Sequence, residues 1–280
     1  MNYRHHYHAG GAADVFKHAL LVLQLAHLTR KSKGLLVLDS HAGAGRYDLE
    51  GPAARKTGEW RLGIGRLWAE PRPHPSLVPY LEAVGRATAG HRQGRCYVGS
   101  ALLIAACLRP QDRLICAERQ PQDAAELARL MAGRANVRVL ASDGYAALKA
   151  HLPPPERRGL VLIDPPYETE AEAERAVKAL SAAHRRFATG GYFLWYPIKA
   201  RAEADRLLAQ VKATGIRRVL VAEVLPFAEP RPFRLNGSGL VMVNPAHGLA
   251  ETLRDLLPWL ARRLAREGEG GCRVAWLVGE

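Results

Sequence analysis

Apolar residues recur along this chain in two ways, and the pattern switches at regular intervals. Between residues 12 and 31 (AADVFKHALLVLQLAHLTRK) they fall at helical spacing and the run ends in a basic last turn, which predicts an opening helix. Short, nearly continuous apolar runs follow at Leu35 to Asp39, Arg113 to Glu118, Val137 to Asp143, Gly159 to Asp164, Gly191 to Pro197, Arg218 to Leu225 and Gly239 to Asn244. Helical patterns separate most of them. A helical, basic stretch at Glu251 to Arg266 precedes a last strand-like run, Val274 to Val278. Strands this apolar are buried on both faces, so the alternation predicts a parallel or mostly parallel sheet with helices on either side. Residues 47 to 97 interrupt it with Gly, Pro, Arg and Trp among short helical patterns, and read as an insertion. Ser100 to Arg109 then reads as the helix that would otherwise follow the first strand directly, with Ser100 at its N-cap.

Sheets of this kind bind ligands at the carboxyl ends of their strands. Those ends carry Asp39, Glu118, Asp143 and Asp164. A strand terminus needs no carboxylate for stability and like charges repel, so four acids on one rim point to chemistry, although each alone is equally a solvated loop charge. The loop DSHAGAG after the first strand places Gly43 and Gly45 where a ligand can lie against the main chain, or simply makes a tight turn. His41 beside it is either a ligand contact or a structural histidine. Glu118 ends the second strand, where an acid commonly accepts ribose hydroxyls; its interval from the glycine loop becomes ordinary once the insertion is removed. Asp143 and the Cβ-free Gly144 suit the edge of a cofactor's adenine.

GLVLIDPPYE is the most specific signal. An apolar strand delivers Asp164 to its tip, and Pro165 and Pro166 fix φ and remove two N–H donors, leaving carbonyls to accept. A carboxylate and the Pro165 carbonyl that together accept both hydrogens of an exocyclic amine localise its nitrogen lone pair for alkylation. Tyr167 offers a face for a base to stack on. The bland alternative is a Pro-Pro turn closing a strand. Lys17, amid apolar residues of the first helix, either reaches a carboxylate bound at the rim or snorkels to solvent.

Composition narrows the partner. Of 280 residues 48% are hydrophobic and 24% charged, as in a globular protein of one large domain or one domain with an insertion. No apolar run is long enough for a membrane helix and MNYRHHYHAG lacks a signal region, so a cytoplasmic protein without membrane attachment is expected. Cys96, Cys107, Cys116 and Cys272 form no C-x-x-C pair, and His5, His6 and His8 have no helical or carboxylate partner spacing, so no metal is expected. The net charge of +13 favours a polyanion, with nucleic acid ahead of an anionic membrane surface. Tyr3 and Arg4, in the basic leading segment, suit stacking and phosphate contact.

YRHHYHAGGAADVFKH, LDSHAGAGRY, GSALL, SDG, LIDPPYE and LWYP together resemble the RlmJ family of 23S ribosomal RNA adenine-N6 methyltransferases, and the likeness runs to the closing RVAWLV. The resemblance implies a class I S-adenosylmethionine-dependent methyltransferase fold, Rossmann-like with a mostly parallel seven-stranded sheet. Residues 1–46 and 98–280 would form that domain, with 1–33 as an N-terminal extension and helix and 47–97 as a small helical subdomain. It implies a monomer that methylates one adenine of 23S ribosomal RNA, on protein-free RNA, without metal. Lys17, His41, Ser100, Glu118, Asp143, Gly144 and Asp164 would contact S-adenosylmethionine, Asp164 would also be catalytic, and Tyr3 would touch substrate. The DPPY element alone is shared with DNA adenine and protein glutamine methyltransferases. A DNA adenine methyltransferase, a non-catalytic RNA-binding protein on the same fold and, from the glycine loop alone, a nicotinamide oxidoreductase are the alternatives. The insertion and the 226–238 loop match no pattern that assigns RNA contacts.

Overall fold

Each apolar run becomes a strand, and the faces it buries set its place in the sheet. The computed structural model describes residues 5–169, 171–227, 235–266, 268 and 270–279, so Tyr3 and most of the 226–238 loop lie outside the described residues. A 3-10 turn at His5–Tyr7 leads into α1 (Ala12–Leu28) and β1 (Leu36–Asp39). Next come β2 (Arg46–Asp48), α2 (Pro52–Thr57), α3 (Glu59–Leu62), α4 (Ile64–Trp68), α5 (Val78–Ala87) and β3 (Cys96–Val98). The alternation resumes with α6 (Ser100–Cys107), β4 (Arg113–Glu118), α7 (Pro121–Leu130), β5 (Val137–Ala141), α8 (Gly144–His151) and β6 (Gly159–Ile163). It closes with α9 (Ala171–Arg186), β7 (Gly191–Ile198), α10 (Arg201–Ala213), β8 (Val219–Leu225), β9 (Gly237–Val243), α11 (Leu249–Leu264) and β10 (Gly271–Val278).

The main sheet runs β10-β8-β9-β7-β6-β1-β4-β5. β5, β4, β1, β6 and β7 are parallel, while β9 runs antiparallel to both β7 and β8. The seven expected strands are joined by an eighth, β10, which pairs antiparallel with β8 and is longer than the strand-like tail suggested. Central β1 is buried at every residue because helices cover both faces. Its pleat sends Leu36 and Leu38 into one apolar cluster with Val161 and Tyr192, and Val37 into the other with Phe16 and Leu20.

α1 is apolar almost all round, as a helix inside the fold must be. It stops at Leu28, short of the expected Lys31. Thr29 Oγ1 donates back to the Leu25 carbonyl at 2.9 Å, and the Arg109 guanidinium donates to the carbonyls of Thr29 and Lys31 at 2.7 and 2.6 Å, holding the chain beyond it in a turn.

The insertion leaves and rejoins the sheet through β2 and β3, which pair antiparallel. It builds no core of its own: Ile64, Leu67, Tyr80 and Val84 belong to the cluster that contains Phe16 and Leu20. A buried polar seam crosses the junction. His18 Nδ1 of α1 lies 2.8 Å from the Tyr97 hydroxyl, which lies 2.8 Å from the Tyr80 hydroxyl. Burial pushes His18 down to about 3, against the pull of Asp14, so the imidazole is neutral. Cys96 and Cys116 are buried, Cys107 is half-buried and Cys272 is exposed, all as free thiols.

Tyr97→Phe strips two buried groups of their shared partner, so urea unfolding should show a loss of about 2 kcal/mol with the far-UV spectrum unchanged. An unchanged midpoint would show that the seam contributes nothing to joining insertion and sheet.

Candidate active site

Because β6, β1, β4 and β5 are neighbours in that order, the expected acids line one edge: Asp164 after β6, Asp39 on β1, Glu118 on β4 and Asp143 after β5. Each is handled differently.

Asp164 is held by a buried cation. Lys17, 5% exposed, places Nζ 2.5 Å from Asp164 Oδ2 and 3.2 Å from Asp14 Oδ1. Asp14 is itself buried; its other oxygen accepts the Gly10 N–H at 3.0 Å and lies 2.9 Å from His5 Nε2. Burial opposes the charges on Lys17 and Asp14, yet the attraction wins. The carboxylates of Asp164 and Asp14 raise Lys17 above the ordinary lysine range, and His5 and Lys17 hold Asp14 well below the ordinary carboxylate range. Lys17 therefore does not snorkel to solvent; its ammonium reaches Asp164 of its own chain. Its ammonium also lies 5.9 Å over the Trp195 ring.

The loop beyond Asp164 is held under strain. Tyr167 adopts φ 48°, a region tyrosine rarely enters. Its hydroxyl donates to the Trp195 carbonyl at 2.6 Å and its ring meets Trp195 edge-on, with centroids 5.7 Å apart. Pro165 is buried between these anchors, and Asp164, Pro166 and Tyr167 are half-buried.

In the glycine loop, Ser40 Oγ donates to the Leu162 carbonyl at 2.9 Å and so accepts from His41 Nδ1 at 2.8 Å. That pairing leaves His41 Nε2 as an acceptor. Burial pushes His41 down to about 4, so it is neutral, and its ring stands edge-on to Tyr145. Gly43 takes φ 62°, where a Cβ would lie 2.3 Å from the Tyr47 hydroxyl. Its N–H donates to Glu118 Oε2 at 2.8 Å, while the Gln120 N–H donates to Oε1 at 2.7 Å. Burial pushes Glu118 up against those donors.

Asp39 is wholly buried and pushed up to about 6, chiefly by desolvation. Ser100 Oγ donates to it at 2.6 Å. This corrects the expected N-cap: Gly99 occupies the cap and Ser100 is the first residue of α6, its hydroxyl committed to Asp39. Asp143 does cap a helix, accepting from the Tyr145 and Ala146 N–H groups of α8 while Oδ2 pairs with Arg175 at 2.8 Å. A Cβ on Gly144 would sit 1.8 Å from the Ser40 carbonyl, so that close approach excludes any other residue.

The three leading histidines diverge: His5 to Asp14, His6 edge-on to Tyr47, and His8 to Glu59 at 3.2 Å. Sequence reasoning missed Asp14 and Trp195. Asp14 left one signal, an acid three residues before Lys17 in a helix otherwise apolar, where an opposite charge on the same face is a partner.

Residues 32–278 match the model of the family described as ribosomal RNA large subunit methyltransferase D, RlmJ. The chain belongs to the RlmJ family. Proteins called ribosomal RNA large subunit methyltransferase J from Haemophilus influenzae and from Escherichia coli K12 are each 40% identical to it, over 100% of both chains. A crystal structure from Legionella pneumophila str. Philadelphia 1, of protein LPL1258, superposes with a TM-score of 0.88 at 30% identity, covering 96% of this chain and 98% of that one. The fold of that solved structure therefore matches this one over nearly the whole chain.

Asp39 carries a pH signature. With its folded pKa near 6, above the ordinary 3.8, its protonated form favours folding below about pH 4, and that contribution is lost as pH rises through 6. Asp39→Asn cannot ionise, so in ligand-free protein it should gain on the wild type by about 2 kcal/mol between pH 4 and pH 7 in urea unfolding. A difference independent of pH would contradict the buried, ionisable Asp39.

Proposed function

We propose that this protein transfers a methyl group from S-adenosylmethionine to the N6 amine of one adenine in 23S ribosomal RNA, acting on protein-free RNA. The observation that carries the reading is Asp164, placed at the tip of a buried strand before two prolines and ion-paired to Lys17, in a chain related end to end to ribosomal RNA large subunit methyltransferases. In this reading residues 47–97 are a helical subdomain set into one catalytic domain.

The residues present fit the donor. A sulfonium cation suits a rim of acids, ribose hydroxyls suit Glu118, and a terminal carboxylate suits Lys17, which has three hydrogens and gives two to Asp14 and Asp164. His41, Ser100, Asp143 and Gly144 complete the same edge. S-adenosylmethionine supplies an electrophilic methyl group when bound there.

The chain's own residues do the rest. The N6 lone pair is delocalised into the purine ring, so the amine is a poor nucleophile until both its hydrogens are accepted. Lys17 occupies Asp164 Oδ2 and leaves Oδ1 to accept one of them, with the Pro165 carbonyl accepting the other. Lys17 also holds Asp164 in place, so the carboxylate is oriented before positive charge grows on the nitrogen. Tyr167, anchored to Trp195, is the wall against which the base stacks, and Tyr3 is a substrate contact. A stacked, paired adenine cannot present N6, so the base is unstacked on binding.

Asp164→Asn should retain the fold and lower methyl transfer by about a thousandfold, the scale for removing a preorganised charge. Mass spectrometry of 23S RNA fragments after incubation with labelled donor reads donor, substrate and site together. Wild-type-like methylation by the variant, or transfer by the wild type to duplex DNA but not to protein-free RNA, would overturn the reading.

A further inference from the structure

The basic charge of this chain is not spread over it. Segments 29–35, 108–113, 131–137, 151–158, 184–190 and 212–218 lead into β1, β4, β5, β6, β7 and β8. They hold thirteen Lys and Arg and two acids, which leaves +11 of the chain's +13 in these turns at the amino ends of the strands. Both acids are already neutralised there, Asp112 by Arg109 at 2.8 Å and Glu156 by Arg113 at 2.5 Å.

The turns form one continuous face. The Arg109 guanidinium bonds into 29–35, Arg158 reaches the Leu28 carbonyl at 2.8 Å, and Arg186 Nε donates to the Leu152 carbonyl at 2.9 Å. Asn136 donates to the Asp112 carbonyl at 2.8 Å, and Asn244 bridges Gly190 and Arg218 at 2.8 and 3.1 Å. Seven adjacent strands make it about 30 Å wide. Arg30, Lys31, Lys33, Arg157, Arg185 and Lys212 are exposed on it.

Helix dipoles explain part of this. Six helices, α1 and α6 to α10, end at this edge, and each terminus attracts about half a positive charge, so about three of the eleven are accounted for. The surplus suits a polyanion. Asp164 lies at the opposite ends of the same strands, about 17 Å away along a five-residue strand, so nucleotides around a base held at Asp164 do not cover this face. The exposed large apolar residues among those described, Val78, Leu235 and Trp276, all lie outside these turns, so the face lacks the apolar anchor a membrane-surface site uses.

We propose that the amino-end edge of the sheet is a second RNA-docking face, which grips the phosphodiester backbone of a separate segment of the substrate RNA while the target adenine is at Asp164. This rests on the RNA reading above. The face is sequence-independent: cations on turns meet phosphates, and a double-helical segment presents about one charge per 1.7 Å to it.

The test is a salt titration of binding to two RNAs, a long 23S RNA domain and a short stem-loop carrying the target adenine. The variant Lys31→Gln/Lys33→Gln/Arg157→Gln changes exposed residues remote from the site. Its slope of log Kd against log salt on the long RNA should fall by about two to three, and its affinity at physiological salt should drop at least tenfold. Affinity and turnover on the short stem-loop should stay within twofold of wild type. Arg185→Gln/Lys212→Gln, on the other side of the face, should lower the slope by about two, giving an independent reading if the first variant folds poorly. Unchanged slopes on the long RNA, or equal losses on both RNAs, overturn the proposal, as does binding to phosphatidylserine vesicles that these variants abolish while RNA binding is kept. Failure of the wild type to methylate either RNA would instead sink the enzyme reading, and the slope comparison would still decide the face.

Discussion

A lysine buried between two carboxylates organises the acidic rim at the carboxyl ends of the sheet. Lys17 joins Asp14 of its own helix to Asp164 at the tip of β6, so the position of α1 and the position of the Asp164 carboxylate are one constraint. Deleting one partner of a buried pair costs about 3–5 kcal/mol, mostly because the survivor is left unpaired, and here both ends are buried or half-buried. The constraint extends outward. Asp14 holds His5 and the Gly10 N–H, the next residues pack on the insertion through His8 and Glu59, and the Ile64 N–H donates to the Gly10 carbonyl at 2.8 Å. The insertion therefore braces the segment that braces Asp164.

Charge is divided between the two ends of one sheet. The carboxyl ends carry the acids, each stabilised by a local donor: Ser100 for Asp39, backbone N–H groups for Glu118, a helix N-terminus for Asp143 and Lys17 for Asp164. The amino ends carry nearly all the net positive charge, where six helix C-termini favour cations. A parallel sheet with helical crossovers supports this division at little cost, because each of the six helices that lead into the parallel strands points its negative end the same way.

The strands were legible in the sequence because each is a short apolar run, and the rim followed from the parallel order of the four that end in an acid. β1 and β6 needed nothing more than burial on both faces. What stayed hidden depended on contacts between elements distant in sequence. Ser100 has the residue type and position of an N-cap, and only the proximity of Asp39, 61 residues earlier, redirects its hydroxyl. Arg109 ends α1 from 80 residues away, so the apolar period of α1 alone overran by a turn. The positive φ of Tyr167 accompanies its hydrogen bond to the distant Trp195 carbonyl, and local propensity argues against it. Lys17 was visible as an oddity, but its partner could be named only after β6 was placed beside β1.

If Asp14 acts on the reaction by holding Lys17, and Lys17 by holding Asp164, their effects on methyl transfer form a single chain. A double-mutant cycle on single-turnover rates with Asp14→Asn and Lys17→Gln measures this directly. The account predicts that the double variant is no slower than Lys17→Gln alone. Losses that multiply, with the double variant slower by the product of the two single effects, would contradict it.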